Sequence, residues 1–155
     1  MTVFRGFPPY FNADSEILIL GSFPSVKSRE VNFFYGNPLN RFWKTVSGAF
    51  GEAAPTTLEE KKSLLLSHKI ALWDIVTSCE IVGSLDTAIK NPTVADLYTV
   101  LNAAPITKII TNGAKSYQLT TRYFPELKNI IIPLPSTSPA NTRFDATLWE
   151  KTLKQ

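Results

Sequence analysis

A chain of 155 residues has room for one domain with a single core and none for a second. Hydrophobic residues make up 44% and charged residues 19%, a globular balance that argues against extended disorder; the longest apolar stretches, Ile17 to Leu20 and Ile130 to Ile132, fall far short of the ~20 residues a membrane span needs. One cysteine, Cys79, and one histidine, His68, exclude an internal disulfide and the usual zinc or iron–sulfur ligand sets, so chemistry without metal or cofactor is expected, while a formal charge of +3 permits contact with a polyanion without requiring it.

Glu16 to Gly21 carries the unbroken apolar run Ile17-Leu18-Ile19-Leu20, which predicts a parallel strand buried on both faces. A long loop follows. Asn40 to Phe50 has apolar residues at helical spacing, Phe42, Trp43, Val46 and Phe50, with Trp43 read as core. Thr57-Leu58-Glu59-Glu60 opens a second helix with the Thr-x-x-Glu spacing of a capping box. Ile70 to Val76, Ile106 to Thr111 and Ile130 to Leu134 are the further strands; Val94 to Asn102, Ala114 to Tyr123 and Asp145 to Leu153 are the further helices. Short apolar strands alternating with helices predict an α/β fold, a three-layer α/β/α sandwich around a central four-stranded, mainly parallel sheet, in one domain over residues 1–155. Cys79 reads as a buried thiol and His68 as an exposed residue late in a polar helix. The first residues lack the basic, apolar and cleavage segments of a secretory leader, so a cytoplasmic protein is expected.

In an open parallel sheet, ligands bind beyond the carboxyl ends of the strands. Here those ends run into Gly21-Ser22-Phe23-Pro24-Ser25, Asp74 with Thr77-Ser78, Asn112-Gly113, and Pro135-Ser136-Thr137-Ser138-Pro139. Small polar turns offer hydroxyls and backbone N–H groups to phosphate, although turn geometry alone selects the same residues. The first loop has neither the glycine spacing of a dinucleotide fingerprint nor the Gly-Lys-Ser/Thr of a P-loop. A phosphosugar- or nucleotide-processing enzyme is compatible with the same pattern.

Three separated segments carry a family resemblance. Gly21-Ser22-Phe23-Pro24-Ser25 with Phe34-Tyr35-Gly36-Asn37-Pro38-Leu39-Asn40-Arg41-Phe42-Trp43 resembles the first motif region of hypoxanthine-DNA glycosylases, a branch of the uracil-DNA glycosylase superfamily. The Pro-x-Asn-Arg-Phe-Trp run is similar to that of the mismatch-specific uracil-DNA glycosylases. Trp73-Asp74 with Cys79 and Gly83-Ser84-Leu85-Asp86 resembles the same branch, and Leu134-Pro135-Ser136-Thr137-Ser138-Pro139-Ala140-Asn141 looks like its second motif. The resemblance spans Ile17 to Asn141. It implies a monofunctional DNA glycosylase of base-excision repair that hydrolyses the N-glycosidic bond of a deaminated base flipped out of DNA. Hypoxanthine is the favoured base, with uracil and xanthine the other candidates. The implied partner is DNA containing a damaged base; a monomer is expected, with no membrane, metal or cofactor.

Phe23 stands where many superfamily members carry an Asn or Asp that positions water, and Leu134 where uracil enzymes often carry His. Asn37 replaces a His common in the branch, and Ile81-Val82 precedes Gly83-Ser84 where an Arg is usual. The resemblance then implies Asn40 as the catalytic residue, with helix capping as its competing role. Tyr35 is implied to stack on the base, with Phe23, Phe34, Gly21, Ser22 and Asn37 completing the pocket; core packing is the competing reading for the aromatics. Asp74 and Asp86 are the alternative catalytic carboxylates, with capping or ion pairing as the plainer roles. Ser136, Thr137 and Ser138 are expected to hold phosphates, with Arg143 and Lys115 adding charge. A non-catalytic DNA-binding module of the same fold is the alternative in a different functional class.

Overall fold

The computed structural model describes residues 3–81 and 88–155. Its elements are β1 (Val3–Arg5), β2 (Ile17–Gly21), α1 (Val26–Val31), α2 (Phe42–Ala49), α3 (Leu58–Ser67), β3 (Ile70–Asp74), β4 (Val76–Glu80), β5 (Lys90–Val94), α4 (Tyr98–Leu101), β6 (Lys108–Asn112), α5 (Ala114–Tyr123), a 3₁₀ segment (Pro125–Ile130), β7 (Ile131–Leu134) and α6 (Ala146–Leu153). The central sheet has the order β3-β2-β6-β7 and is parallel throughout, with helices packed on it as an α/β/α sandwich. Leu18, Ile19, Leu20, Ile109 and Ile110 are fully buried, which is why β2 and β6 read as unbroken apolar runs.

Register decides where a ligand can bind. Gly21 pairs with Asp74, Leu20 with Thr111, and Asn112 with Leu134, so the carboxyl ends of all four strands lie along one edge. From β2 the chain passes to β3 on one side and later returns to β6 on the other. The crevice between β2 and β6 is therefore the topological switch point, the usual ligand position in such sheets.

Several expectations need correction. The strand expected over Ile70 to Val76 divides after Asp74: the Ile75 and Val76 N–H groups donate to Gly21 O and Ser22 O, and the chain then leaves the parallel sheet as β4. There it joins an antiparallel sheet of order β1-β4-β5 that the apolar pattern does not reveal. Ile75 and Val76 are as buried as the strand before them, so hydrophobicity cannot mark the departure. The helix expected over Val94 to Asn102 shrinks to Tyr98–Leu101, because Val94 still belongs to β5 and the Ala95 N–H donates to Ile75 O. Within the expected long loop lies α1, a polar six-residue helix without an apolar stripe. His68 is half-buried, its ring stacked on Phe50 and bonded to Glu52, rather than exposed. The capping box of Thr57 and Glu60 is present, and Cys79 is buried. Among the described residues no helix is long and apolar enough to cross a membrane.

Candidate active site

A cavity of about 460 Å³ opens at the carboxyl edge of the sheet, within the range that holds a small flat ligand. The loops after β2 and β7 form two of its walls, and the Tyr35–Asn40 segment contributes Tyr35, Asn37 and Asn40. Gly21 lies where Asp74 and Tyr35 converge. A Cβ there would collide with Asp74 Oδ1 and come within 3.2 Å of the Tyr35 hydroxyl, so only glycine leaves this space open. Asp74 is 5% exposed, ends a strand and lines the cavity, so it caps no helix.

Tyr35 adopts a left-handed backbone (φ 51°), uncommon for a residue with a side chain. Its surroundings hold it there: Trp43 Nε1 donates to Tyr35 O at 3.1 Å and the Gly36 N–H donates to Ser28 Oγ at 2.8 Å. The ring lies flat on Phe42, centroids 4.0 Å apart at 16°. One face is thus backed by the core while the half-buried residue still borders the cavity. Phe34 and Phe23 are buried and also line the cavity, so core and wall are the same residues. Phe34 is fixed edge-on by Phe7 and Phe33, and the Arg29 guanidinium lies over Phe23. Trp43 is core, as expected.

Asn37 to Asn40 form a closed turn, with the Asn40 N–H donating to Asn37 O and the Leu39 N–H to Asn37 Oδ1. Asn40 Oδ1 accepts from the Phe42 N–H at 2.9 Å. Its carboxamide therefore satisfies a donor at the start of α2, and that bond orients the side chain at the cavity, leaving two amide hydrogens to donate. Capping and a catalytic role are compatible here. The positive end of the α2 dipole lies beside it, which favours negative charge in the cavity.

The loop after β7 is held by residues distant in sequence. Asn112 grips Thr137 twice, Oδ1 accepting from the Thr137 N–H and Nδ2 donating to Thr137 Oγ1, both at 3.0 Å. Arg41 takes the loop carbonyls: its backbone N–H donates to Thr137 O, and Nη1 donates to Ser138 O at 3.0 Å and Asn141 O at 2.9 Å. Asn141 Nδ2 donates to Ser136 O. The hydroxyls of Ser136 and Ser138 accept from the Ser138 and Ala140 N–H groups, so their own hydrogens are left to donate. With carbonyls occupied and hydroxyl donors presented, the loop suits an anion. Gly113 permits this approach: at φ 95° its N–H donates to Leu134 O, and a Cβ would press on Ser136 Cβ at 3.1 Å.

Gly21, Ser22, Phe23, Phe34, Tyr35, Asn37, Asn40, Asp74, Ser136, Thr137 and Ser138 thus border one cavity. Arg143 and Lys115 do not line it; Arg143 is exposed, its N–H donating to Asn141 Oδ1. Asp86, with Gly83 and Ser84, lies outside the described residues. Sequence reasoning missed the structural roles of Asn112, Arg41 and Asn141. Asn112 could have been suspected, since a polar amide ending an apolar strand beside a glycine sits at the ligand edge; the partners of Arg41 are 97 and 100 residues away and leave no local signal.

Residues 8–154 match the family described as the uracil DNA glycosylase superfamily. A protein of Methanosarcina acetivorans named hypoxanthine DNA glycosylase is 38% identical over 145 residues, covering 90% of this chain and 89% of the relative. One of the same name from Methanosarcina barkeri is 34% identical over 114 residues, 72% of each chain. The solution NMR structure of a Methanosarcina acetivorans protein, described as a candidate uracil DNA glycosylase, superposes with a TM-score of 0.84 at 34% identity, covering 99% of this chain and 98% of the other. Family match, relatives and fold agree, and the chain belongs to the uracil DNA glycosylase superfamily.

Proposed function

We infer that the chain is a monofunctional DNA glycosylase of base-excision repair, acting as a cytoplasmic monomer on DNA that carries a deaminated base, with hypoxanthine favoured over uracil and xanthine. The observation that carries this reading is one cavity, at the switch point of the sheet, bordered at once by the Tyr35 ring, the Asn40 carboxamide and the hydroxyls of the Ser136–Ser138 loop. The base–sugar bond is inaccessible inside a duplex, so the nucleotide must leave the stack. The Ser136 and Ser138 hydroxyls hold its flanking phosphates while Tyr35, backed by Phe42, stacks on the base.

As the bond from C1′ to the base nitrogen breaks, positive charge builds on the sugar and negative charge on the base. Asn40 donates its amide hydrogens to the departing base, aided by the α2 dipole, and these fixed dipoles need no reorganisation when charge appears. Asp74, deep in the cavity, is the candidate to orient the water. Water adds its oxygen to C1′, its proton is released, and free base and an abasic site result. No lysine nucleophile is assigned, so the strand stays intact. Matched duplexes bearing hypoxanthine, uracil, xanthine or no lesion, followed by alkaline cleavage of abasic sites, test the activity and rank the bases. Binding without excision across the panel would instead assign a DNA-binding module.

A further inference from the structure

The short helix α1 has no apolar stripe and buries one side chain, that of Ser28, which is 2% exposed and ends in a hydroxyl. Burial of apolar surface therefore does not explain its place in the fold. Ser28 Oγ accepts from the Gly36 N–H at 2.8 Å and from the Ser25 hydroxyl at 3.1 Å, so it ties the loop after β2 to the Tyr35–Gly36 segment. Ser25, Ser28 and Tyr35 all line the cavity. The Ser28 carbonyl accepts from the Asn32 and Phe33 N–H groups and so ends the helix just before Phe34 and Tyr35. Gly36 lies close against α1: a Cβ there would collide with Val31 Cγ2 and come within 3.1 Å of Ser28 Cα.

The peptide group between Tyr35 and Gly36 is thus gripped at both ends, its oxygen by Trp43 Nε1 at 3.1 Å and its N–H by Ser28 Oγ. Tyr35 needs such a grip, because a left-handed backbone at φ 51° is unfavourable for a residue with a Cβ. Trp43 also packs on Phe33 and Phe42 and would be kept for the core alone; Ser28 has no comparable packing role. Released from Ser28, the Tyr35 backbone can relax towards negative φ, and the ring then swings away from Phe42, on which it now lies stacked. We propose that Ser28 is a positioning residue for base excision: by fixing the Tyr35–Gly36 peptide it holds the Tyr35 ring in the plane that stacks on the flipped base. This rests on the DNA-glycosylase reading above.

The test is a double-mutant cycle in single-turnover excision of hypoxanthine from a duplex, comparing wild type, Ser28→Ala, Tyr35→Ala and the double variant. Ser28→Ala should slow excision by ~10-fold, within what a small misplacement of a positioning group can cost. Once Tyr35 is alanine, the same change should add less than ~2-fold, because Ser28 acts through the ring. A serine that serves only the fold predicts effects that multiply. Multiplying effects, or wild-type excision by Ser28→Ala, overturn the proposal. Ser28→Cys fills the same space with a weak acceptor, so it should follow Ser28→Ala and carries the cycle if the alanine variant does not fold; wild-type excision by Ser28→Cys also overturns it. Preference for a duplex carrying a fluorinated deoxyinosine, whose electron-poor sugar resists loss of the base, over an unmodified duplex repeats the cycle without turnover. Non-additive loss of that preference, without excision of any base, would remove the glycosylase reading and keep the positioning role. Excision with multiplying effects would do the reverse, and neither excision nor preference in wild type overturns both.

Discussion

Replacing Asn40 by Asp and, separately, by Ala separates two roles carried by one side chain. Asn40 Oδ1 accepts from the Phe42 N–H at 2.9 Å, and its amide nitrogen supplies the donors assigned to the departing base. Alanine removes both, so stability should fall by about 1 kcal/mol, the usual worth of such a cap. In a chain of this size that lowers the melting temperature by about 2–4 °C. Excision should fall further, by ~100-fold or more, the scale of one lost preorganised donor. Aspartate keeps an oxygen for the Phe42 N–H and places negative charge at the start of α2, which is favourable by about 0.3–1 kcal/mol, so Asn40→Asp should melt no lower than wild type. It has no amide hydrogens and brings its charge towards a base that is itself becoming negative. Its excision should be at least as slow as that of Asn40→Ala. The assay is single-turnover excision from a hypoxanthine duplex, scored by alkaline cleavage, beside thermal unfolding of each protein. Excision within a few-fold of wild type in Asn40→Ala, together with a lowered melting temperature, would refute the catalytic assignment and leave Asn40 a cap. Attention would then pass to Asp74.

Gly21→Ala places a methyl group against Asp74 Oδ1 and the Tyr35 hydroxyl, so excision should drop by ~10-fold or more with the fold retained; unchanged kinetics would show that the Gly21–Asp74–Tyr35 corner plays no part. Arg143 is exposed and outside the cavity, so Arg143→Ala should lower duplex affinity and reduce the salt slope by about 1 if it contacts a phosphate, whereas an equal slope measured by fluorescence anisotropy would make it a solvated charge. Hydrogen bonds donated to its carboxylate by the Thr57 N–H, the Thr56 hydroxyl and the Thr56 N–H hold Glu60 at about 2, below the ordinary 4.5. A depressed folded-state value means that the cap's contribution is full above pH 4.5 and is lost as pH falls towards 2, so the stability difference between wild type and Glu60→Gln should shrink across that window in pH-dependent unfolding.

The parallel sheet was legible because β2, β3 and β6 bury apolar runs, and α5 begins and ends where its pattern does. The second sheet was hidden by its own exposure: Lys90–Val94 has only its last residue even half-buried, and Val3–Arg5 is three residues long, so neither needs an apolar signature. For α1, the one usable signal was local, Ser25 accepting from the Ser28 N–H, and a polar six-residue helix offers little else. Site residues on turns at strand ends could be anticipated from topology alone, which is why the loops of Gly21 and Ser136 were placed together. What holds those loops in shape could not. Asn112 and Arg41 act through bonds to a segment that is distant in sequence and defined only once the sheet has formed.

Arg41 grips main-chain oxygens. The shape of the Thr137–Asn141 segment thus depends largely on a guanidinium and on peptide groups that every residue type possesses, and little on what projects from Pro139 or Ala140. Those two positions form a surface that can be rewritten, towards a different lesion or a different geometry of DNA, without unlatching the loop beneath. The latch itself tolerates less freedom: one guanidinium nitrogen, Nη1, reaches both carbonyls while the planar group lies against Phe144, a placement that a lysine ammonium does not reproduce. An engineer seeking new specificity in this scaffold would vary the loop and leave Arg41 alone.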